Sequence, residues 1–106
     1  MSARRALLAL ALLMSAAACS NAGPASPYAR GMAAFEAGDI RTARVEFLNA
    51  IQADPDNSAA RVMQAQVHLL LGDGVAAEAE IVRARQNGLP VEQSRHLLAH
   101  ARLLQN

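Results

Sequence analysis

The sequence has few aromatic residues, a single cysteine and no run of basic residues. Aromatic residues make up only 3% of the 106 positions, whereas 53% are hydrophobic, with alanine, leucine and arginine the dominant types. This mixture suits closely packed helices and suits strands poorly. The single cysteine, Cys19, excludes a disulfide within the chain. Because no basic tract is interleaved with aromatic residues, nucleic acid is not an expected partner.

The first 18 residues have the features of a secretory signal. Arg4 and Arg5 precede an apolar run, and the run ends in small residues up to Ala18. The stretch from Ala6 to Ala18 is 13 residues long, whereas a helix that spans a bilayer needs about 20. We therefore expect a signal peptide over residues 1–18.

The end of this signal resembles the lipobox of bacterial lipoproteins. Three alanines, beginning with Ala16, precede Cys19, although the motif prefers leucine where Ala16 stands. The resemblance implies cleavage before Cys19, acylation of that cysteine and, because Ser20 rather than aspartate follows, the periplasmic face of the outer membrane. An ordinary cleaved signal with a chance cysteine is the alternative. Residues 19–27 contain two prolines and a glycine and are expected to form a flexible tether.

From Tyr28 onward the apolar residues recur at helical spacings. Gly38 predicts a helix end, because glycine takes the left-handed cap conformation without strain. Asp39 is then placed to cap the next helix. The same reasoning predicts five helices, the last three over about 58–71, 75–87 and 91–105. Glu46, Glu78 and Glu80 are expected on solvated helix faces, and Phe47 is the main large apolar insert of the expected core.

A shift of 34 residues superimposes the chain on itself. Small, apolar and turn residues of the first repeat then coincide with similar residues of the second. The matches are Gly38 to Gly72, Asp39 to Asp73, Ala43 to Ala77, Phe47 to Ile81, Ala50 to Ala84 and Gly31 to Ala65. A fixed period of this size is typical of stacked helical hairpins.

These positions resemble the tetratricopeptide repeat, although Pro27, Ala34, Arg61 and His68 stand where that family has aromatic residues. The resemblance implies an all-α solenoid of about two and a half repeats, over residues 24–57, 58–91 and 92–106. The lipobox, the short tether and the Gly-Asp repeats also resemble the first repeats of PEP-CTERM system tetratricopeptide lipoproteins. That narrower resemblance implies work beside exopolysaccharide and protein-sorting machinery.

The resemblance also implies a concave groove lined by the first helix of each repeat. The groove residues carried over are Tyr28, Met32, Phe35, Glu36, Val62, Gln66, Leu69, His96, His100 and Leu103. The lysine and asparagine of the family's carboxylate clamp are missing, so we expect an apolar or mixed peptide segment as ligand. The alternative for Met32, Phe35 and Leu69 is packing between neighbouring helices.

The sequence offers little chemistry for catalysis. His96 and His100 have the spacing of metal ligands on a helix, but the glutamate of the zinc-protease motif and a third ligand are both missing. His68 has no serine or cysteine nucleophile placed to use it. We therefore expect no enzyme, no cofactor and no metal, and a metal-dependent hydrolase is the remote alternative.

The expected function is that of a membrane-anchored scaffold that binds proteins in the bacterial envelope. A pilotin or an outer-membrane assembly factor is the alternative scaffold. Leucines lie on more than one side of the last predicted helix, and a terminal repeat normally has a polar outer face. Leu98 and Leu104 are therefore expected to mark a surface for a partner or for self-association.

Overall fold

A computed structural model describes residues 25–106 and contains five α-helices there. They are α1 (Pro27–Glu36), α2 (Ile40–Ala53), α3 (Ser58–Leu70), α4 (Gly74–Gln86) and α5 (Val91–Leu103). Each helix packs against the next, and α3 also contacts α5, so the chain forms two helical hairpins and the first helix of a third. The described part has no strand, and the predicted all-α array of hairpins is confirmed. Within residues 25–106, no helix has the length and apolar character needed to cross a membrane.

The two inner turns have the same geometry, as the 34-residue period predicts. Gly38 and Gly72 both have a φ of 77°, in the left-handed region, where a side chain is strained. Asp39 then caps α2 by accepting from the Thr42 N–H at 3.2 Å, and Asp73 caps α4 by accepting from the Ala76 N–H at 3.0 Å. Both caps satisfy N–H groups that have no partner within the helix.

The core consists of small residues packed around a few large apolar side chains. Phe47 and Ile81 are both fully buried. Ala43 and Val67 complete the core around Phe47, with partly buried residues of α1 packed against it. The second core cluster contains Ala65, Leu69, Ala77, Ile81, Leu97 and Ala101. Alanines at the crossings let the helices approach closely, so that a few large side chains fill the space between them.

The first helix begins earlier than expected. Pro27 occupies the first turn of α1, and the Ser26 hydroxyl accepts from the Ala29 N–H at 3.1 Å. Proline suits this position because its missing N–H has no helical partner to lose. The last two residues of the expected tether therefore belong to the helical array. The signal peptide, Cys19 and the tether up to residue 24 lie outside the described residues.

Of the three glutamates expected on solvated faces, Glu80 is shielded from solvent, so the expectation is wrong for that residue. The Glu80 side chain is 15% exposed and lies 2.9 Å from the guanidinium of Arg61, which is 9% exposed. Glu46 and Glu78 likewise accept from arginines of neighbouring helices, as the pairs Arg30–Glu46 at 2.8 Å and Arg102–Glu78 at 3.1 Å. Helical spacing shows which residues share a face, but not that a neighbouring helix supplies a cation to that face.

Candidate functional site

Three first helices contribute side chains to one cleft of about 260 Å³. We call it the histidine cleft, and it is lined by Phe35 of α1, by Gln66, Leu69 and Leu70 of α3, and by His96, Leu97 and His100 of α5. A second cleft, of about 300 Å³, lies towards the start of the same helices. We call it the tyrosine cleft, and it is lined by Tyr28, Ala59, Val62, Met63, Leu89 and Gln93.

The expected groove residues fall into three groups in the structure. Five of them line the histidine cleft: Phe35, Gln66, Leu69, His96 and His100. Tyr28 and Val62 line the tyrosine cleft. Met32, Glu36 and Leu103 line neither cleft. Met32 is half-buried against the core around Phe47, Glu36 is exposed, and Leu103 is 73% exposed.

Sequence reasoning missed several lining residues. Leu70 lies four residues after Gln66, which itself lies four after Val62, so the helical repeat of three or four places all of them on one face of α3. Gln93 stands three residues before His96 and belongs to the groove face of α5 in the same way. Continuing the i, i+3 and i, i+4 spacings in both directions along α3 and α5 predicts Leu70 and Gln93.

The histidine cleft has an apolar floor and a polar rim. Leu69 and Leu97 are each 8% exposed and belong to the core cluster around Ile81. Gln66 is half-buried, and His96 and His100 are exposed. An amide and two imidazoles offer both hydrogen-bond donors and acceptors, so the cleft combines an apolar seat with polar groups at its edge. This arrangement is typical of sites that bind a peptide side chain together with part of its backbone.

The tetratricopeptide repeat family model matches residues 34–103. The chain belongs to the tetratricopeptide repeat family. No curated protein and no solved structure matches the chain. Tetratricopeptide repeats generally mediate protein–protein interaction, and proteins built from them are usually non-catalytic.

In this tetratricopeptide repeat chain, residues 25–106 place no third metal ligand beside the histidine pair. His96 and His100 lie one turn apart on α5 and both line the histidine cleft. Among residues 25–106, no three side chains of the histidine, cysteine, aspartate or glutamate type come together to hold a metal ion. Both imidazoles line the histidine cleft, and an imidazole can donate or accept hydrogen bonds.

The leucines at the end of the last repeat are not equally exposed. Leu98 is half-buried and packs against the core cluster around Ile81. Leu104 is 41% exposed and lies over Gly74, where an added Cβ would stand 2.9 Å from the Leu104 Cβ. Leu103 is the most exposed of them, at 73%. Leu98 therefore offers less apolar surface to a partner than Leu103 or Leu104 does.

A third and larger cleft lies between the two complete repeats. It has a volume of about 720 Å³, and we call it the inter-repeat cleft; it is lined by Arg41, Arg44, Val45, Leu48, His68, Leu71 and Asp73. It shares no lining residue with the other two clefts. Burial lowers the pKa of His68, opposed in part by the negative charge of Asp73. Sequence reasoning did not predict this cleft.

Proposed function

We propose that the chain is a lipid-anchored adaptor of the bacterial envelope that binds a protein partner on the face formed by α1, α3 and α5. The observation that carries this proposal is the histidine cleft, to which all three of these helices contribute side chains. A cleft assembled from successive repeats can hold one continuous segment of a partner, because each repeat contacts a further stretch of it.

The chemistry of the histidine cleft supports a ligand with an apolar side chain flanked by hydrogen-bonding groups. Leu69 and Leu97 supply the apolar floor, and Phe35 supplies an aromatic wall. Gln66 and His100 supply polar groups that can pair with peptide N–H and C=O groups of the ligand. Burial of one large side chain on such a floor contributes about 1.5–3 kcal/mol, so this contact is the expected anchor of the complex.

The positions of the family's carboxylate clamp support the same ligand class. Tyr28 and Met32 stand there in the first repeat, and Val62 and Gln66 stand there in the second. None of these side chains carries a positive charge, so none can form the charge-assisted hydrogen bonds that hold a terminal carboxylate. An internal segment of a partner is therefore the proposed ligand.

Variants at two exposed apolar residues test the binding face. Leu70 is 63% exposed at the histidine cleft, and Val75 is 67% exposed outside all three clefts. In affinity capture from solubilised envelope, we expect Leu70→Glu to weaken recovery of the partner about tenfold or more. Val75→Glu is the matched control and should leave recovery unchanged. Equal recovery of the partner with both variants would show that the partner binds at another face of the chain.

The membrane anchor is proposed from sequence alone, on residues outside those that the structure describes. Cys19 follows three alanines and precedes a serine. Two or three acyl chains on one cysteine are enough for stable anchoring, whereas one chain gives only reversible binding. The intact mass of the product from its native membrane tests the anchor. A product that begins at Cys19 and carries acyl chains supports it, and an unacylated chain that keeps Met1–Ala18 contradicts it.

We further propose that the partner belongs to exopolysaccharide or PEP-CTERM sorting machinery at the outer membrane. This proposal rests on the lipobox, the tether and the Gly-Asp repeats. Capture from solubilised envelope with the wild-type chain and the Leu70→Glu variant tests it. Export or sorting components that depend on Leu70 support the proposal, whereas secretin or barrel proteins would indicate a pilotin or an assembly factor.

A further inference from the structure

The inter-repeat cleft carries two arginines beside an apolar surface. Arg41 and Arg44 lie on α2, and neither forms an ion pair with any residue from 25 to 106. Leu48 and Leu71 line the cleft and are 46% and 47% exposed. Asp73 is the one acidic residue of the lining, and its carboxylate already accepts from the N–H of residue 76. The cleft therefore has an excess of positive charge and uncovered apolar area.

The chain contains a second junction between repeats, where α4 packs against α5. It can be compared with the first junction, between α2 and α3, where the inter-repeat cleft lies. The 34-residue shift takes Arg44 to Glu78, His68 to Arg102 and Leu71 to Gln105. There the Glu78 carboxylate accepts from Arg102 Nε at 3.1 Å and from Gln105 Nε2 at 2.7 Å. At the second junction, the carboxylate of Glu78 thus links α4 to the end of α5 through two hydrogen bonds. We call such a junction closed.

The first junction lacks the acid that closes the second. Arg44 stands where the carboxylate would be, and the half-buried imidazole of His68 stands where its arginine partner would be. These two side chains cannot form an ion pair with each other. The apolar residues are also larger here, since Leu48 replaces Val82 in the repeat register. The backbone beside the cleft is nevertheless well held, because the Gln64 amide donates to the Arg44 carbonyl at 3.2 Å.

We infer that the inter-repeat cleft is a second binding site, which takes an acidic, apolar segment of a partner protein. A carboxylate of the segment pairs with the guanidinium groups of Arg41 and Arg44 and supplies the charge that Glu78 supplies at the other junction. Arginine binds carboxylates through two parallel hydrogen bonds, which makes this pairing strong and directional. A large apolar side chain next to the carboxylate covers Leu48 and Leu71. The volume of about 720 Å³ is within the range of sites that take several side chains or a small ligand.

Matched peptides test this inference on the 106-residue chain. The probe is a fluorescently labelled amphipathic peptide that carries glutamate and leucine four residues apart in an alanine background. In the two control peptides, glutamine replaces glutamate or serine replaces leucine. By fluorescence anisotropy we expect the acidic, apolar peptide to bind. Each control peptide should have an affinity at least about tenfold lower. We also expect the affinity to fall as the salt concentration rises.

A double variant places the ion pair of the second junction at the first junction. Arg44→Glu with His68→Arg gives the first junction the pair that Glu78 and Arg102 form at the second, so we expect it to keep its helical content and to lose peptide binding. Arg41→Gln alone should weaken binding, and Arg95→Gln, at an exposed arginine outside the three clefts, should leave binding unchanged.

Several results would overturn the inference. These are absence of binding by the acidic, apolar peptide at millimolar concentration, equal binding of the glutamine peptide, and unchanged binding by the double variant. Dimerisation of the chain that the double variant abolishes would assign the cleft to a second copy instead, and so would also overturn it. The test is independent of the histidine cleft, because the Leu70→Glu variant should bind the peptide like the wild type.

Discussion

The ring of Phe47 lies directly against the backbone of Gly31. A Cβ atom at residue 31 would stand 2.6 Å from Phe47 Cε1 and 2.7 Å from Phe47 Cδ1. In the next repeat the corresponding residues are Ala65 and Ile81, both fully buried. A residue without a side chain thus faces the larger apolar group, and an alanine faces the smaller one. The first crossing of α1 and α2 therefore depends on the sizes of two residues that are 16 positions apart.

We predict that Gly31→Ala destabilises the fold, although alanine is the better helix former by about 1 kcal/mol. The Phe47 ring is fully buried and cannot move aside freely, and overpacking of this kind costs about 1–3 kcal/mol. The double variant Gly31→Ala, Phe47→Ile copies the pair of the second repeat. Its loss of unfolding free energy in urea should be smaller than the sum of the single losses by about 0.5 kcal/mol or more. Additive losses would mean that the two residues do not compete for one space.

Removing the Phe47 ring should cost more than any other single truncation in the first repeat. Phe47 is fully buried and its ring centroid lies 5.9 Å from that of Tyr28. Phe47→Ala should cost about 3–5 kcal/mol, a large part of the stability of a domain of this size. Leu48→Ala is the neighbouring control, at a side chain that is 46% exposed, and should cost far less. Urea denaturation followed by far-UV circular dichroism measures both, and similar losses would contradict the packing described here.

The Arg61–Glu80 pair should matter more than the Arg95–Glu92 pair. The side chains of Arg61 and Glu80 are 9% and 15% exposed, whereas those of Arg95 and Glu92 are 68% and 75% exposed. Arg61→Ala removes the nearer of two arginines from the shielded Glu80 carboxylate, leaves only Arg83 at 3.8 Å, and should cost about 1.5–3 kcal/mol. Arg95→Ala removes a solvent-exposed pair and should cost less than about 1 kcal/mol. Chemical denaturation of both variants checks this, and equal effects would show that the first pair is solvated.

The stability of the chain should depend on pH through His68. Burial lowers the pKa of His68; Asp73 and Glu80 oppose this change with negative charge, and Arg44 adds to it. As the pH falls below about 6.5, the ordinary pKa of histidine, the unfolded chain takes up the proton first. The free energy of unfolding therefore decreases as the pH falls from about 6.5 to the lower pKa that His68 has in the folded chain. Above about pH 6.5 the titration of His68 has no effect on stability.

Comparison of the wild type with His68→Gln between pH 5 and pH 8 isolates this effect. Because the other titratable groups are common to both chains, the difference between their unfolding free energies reports on His68. We expect the wild type to lose stability more steeply on acidification than the variant does. Parallel curves would contradict the account of His68.

The turns and helices were predictable because their causes are local. A glycine in the left-handed conformation, followed directly by a capping aspartate, needs only adjacent residues, and Gly38 and Asp39 provide them. The 34-residue period then transfers the same turn to Gly72 and Asp73. Residue identity and spacing were enough for these features, and the helix ends differed from the prediction by only one or two residues.

The ion pairs and the clefts were harder to predict because they depend on contacts between distant residues. Helical spacing alone predicts a solvated face for Glu80, since nothing near it in sequence shows that Arg61 reaches it from α3. The inter-repeat cleft follows from a difference between the two junctions, where Arg44 replaces the acid found at Glu78. The 34-residue period shows the replacement of an acid by Arg44 in the sequence. Its consequence for the cleft becomes clear only from the contact between Arg102 and Glu78.

Site-specific photo-crosslinking in native envelope tests the central claim that a partner binds on the face formed by α1, α3 and α5. A photo-reactive amino acid is placed at Gln66, which lines the histidine cleft, and in a control chain at Gln52, an exposed residue near the end of α2 that lines none of the clefts. We predict a discrete protein adduct from position 66, lost when Leu70→Glu is added, and none from position 52. Adducts from position 52 alone, or adducts from position 66 that persist in the Leu70→Glu chain, would contradict the account.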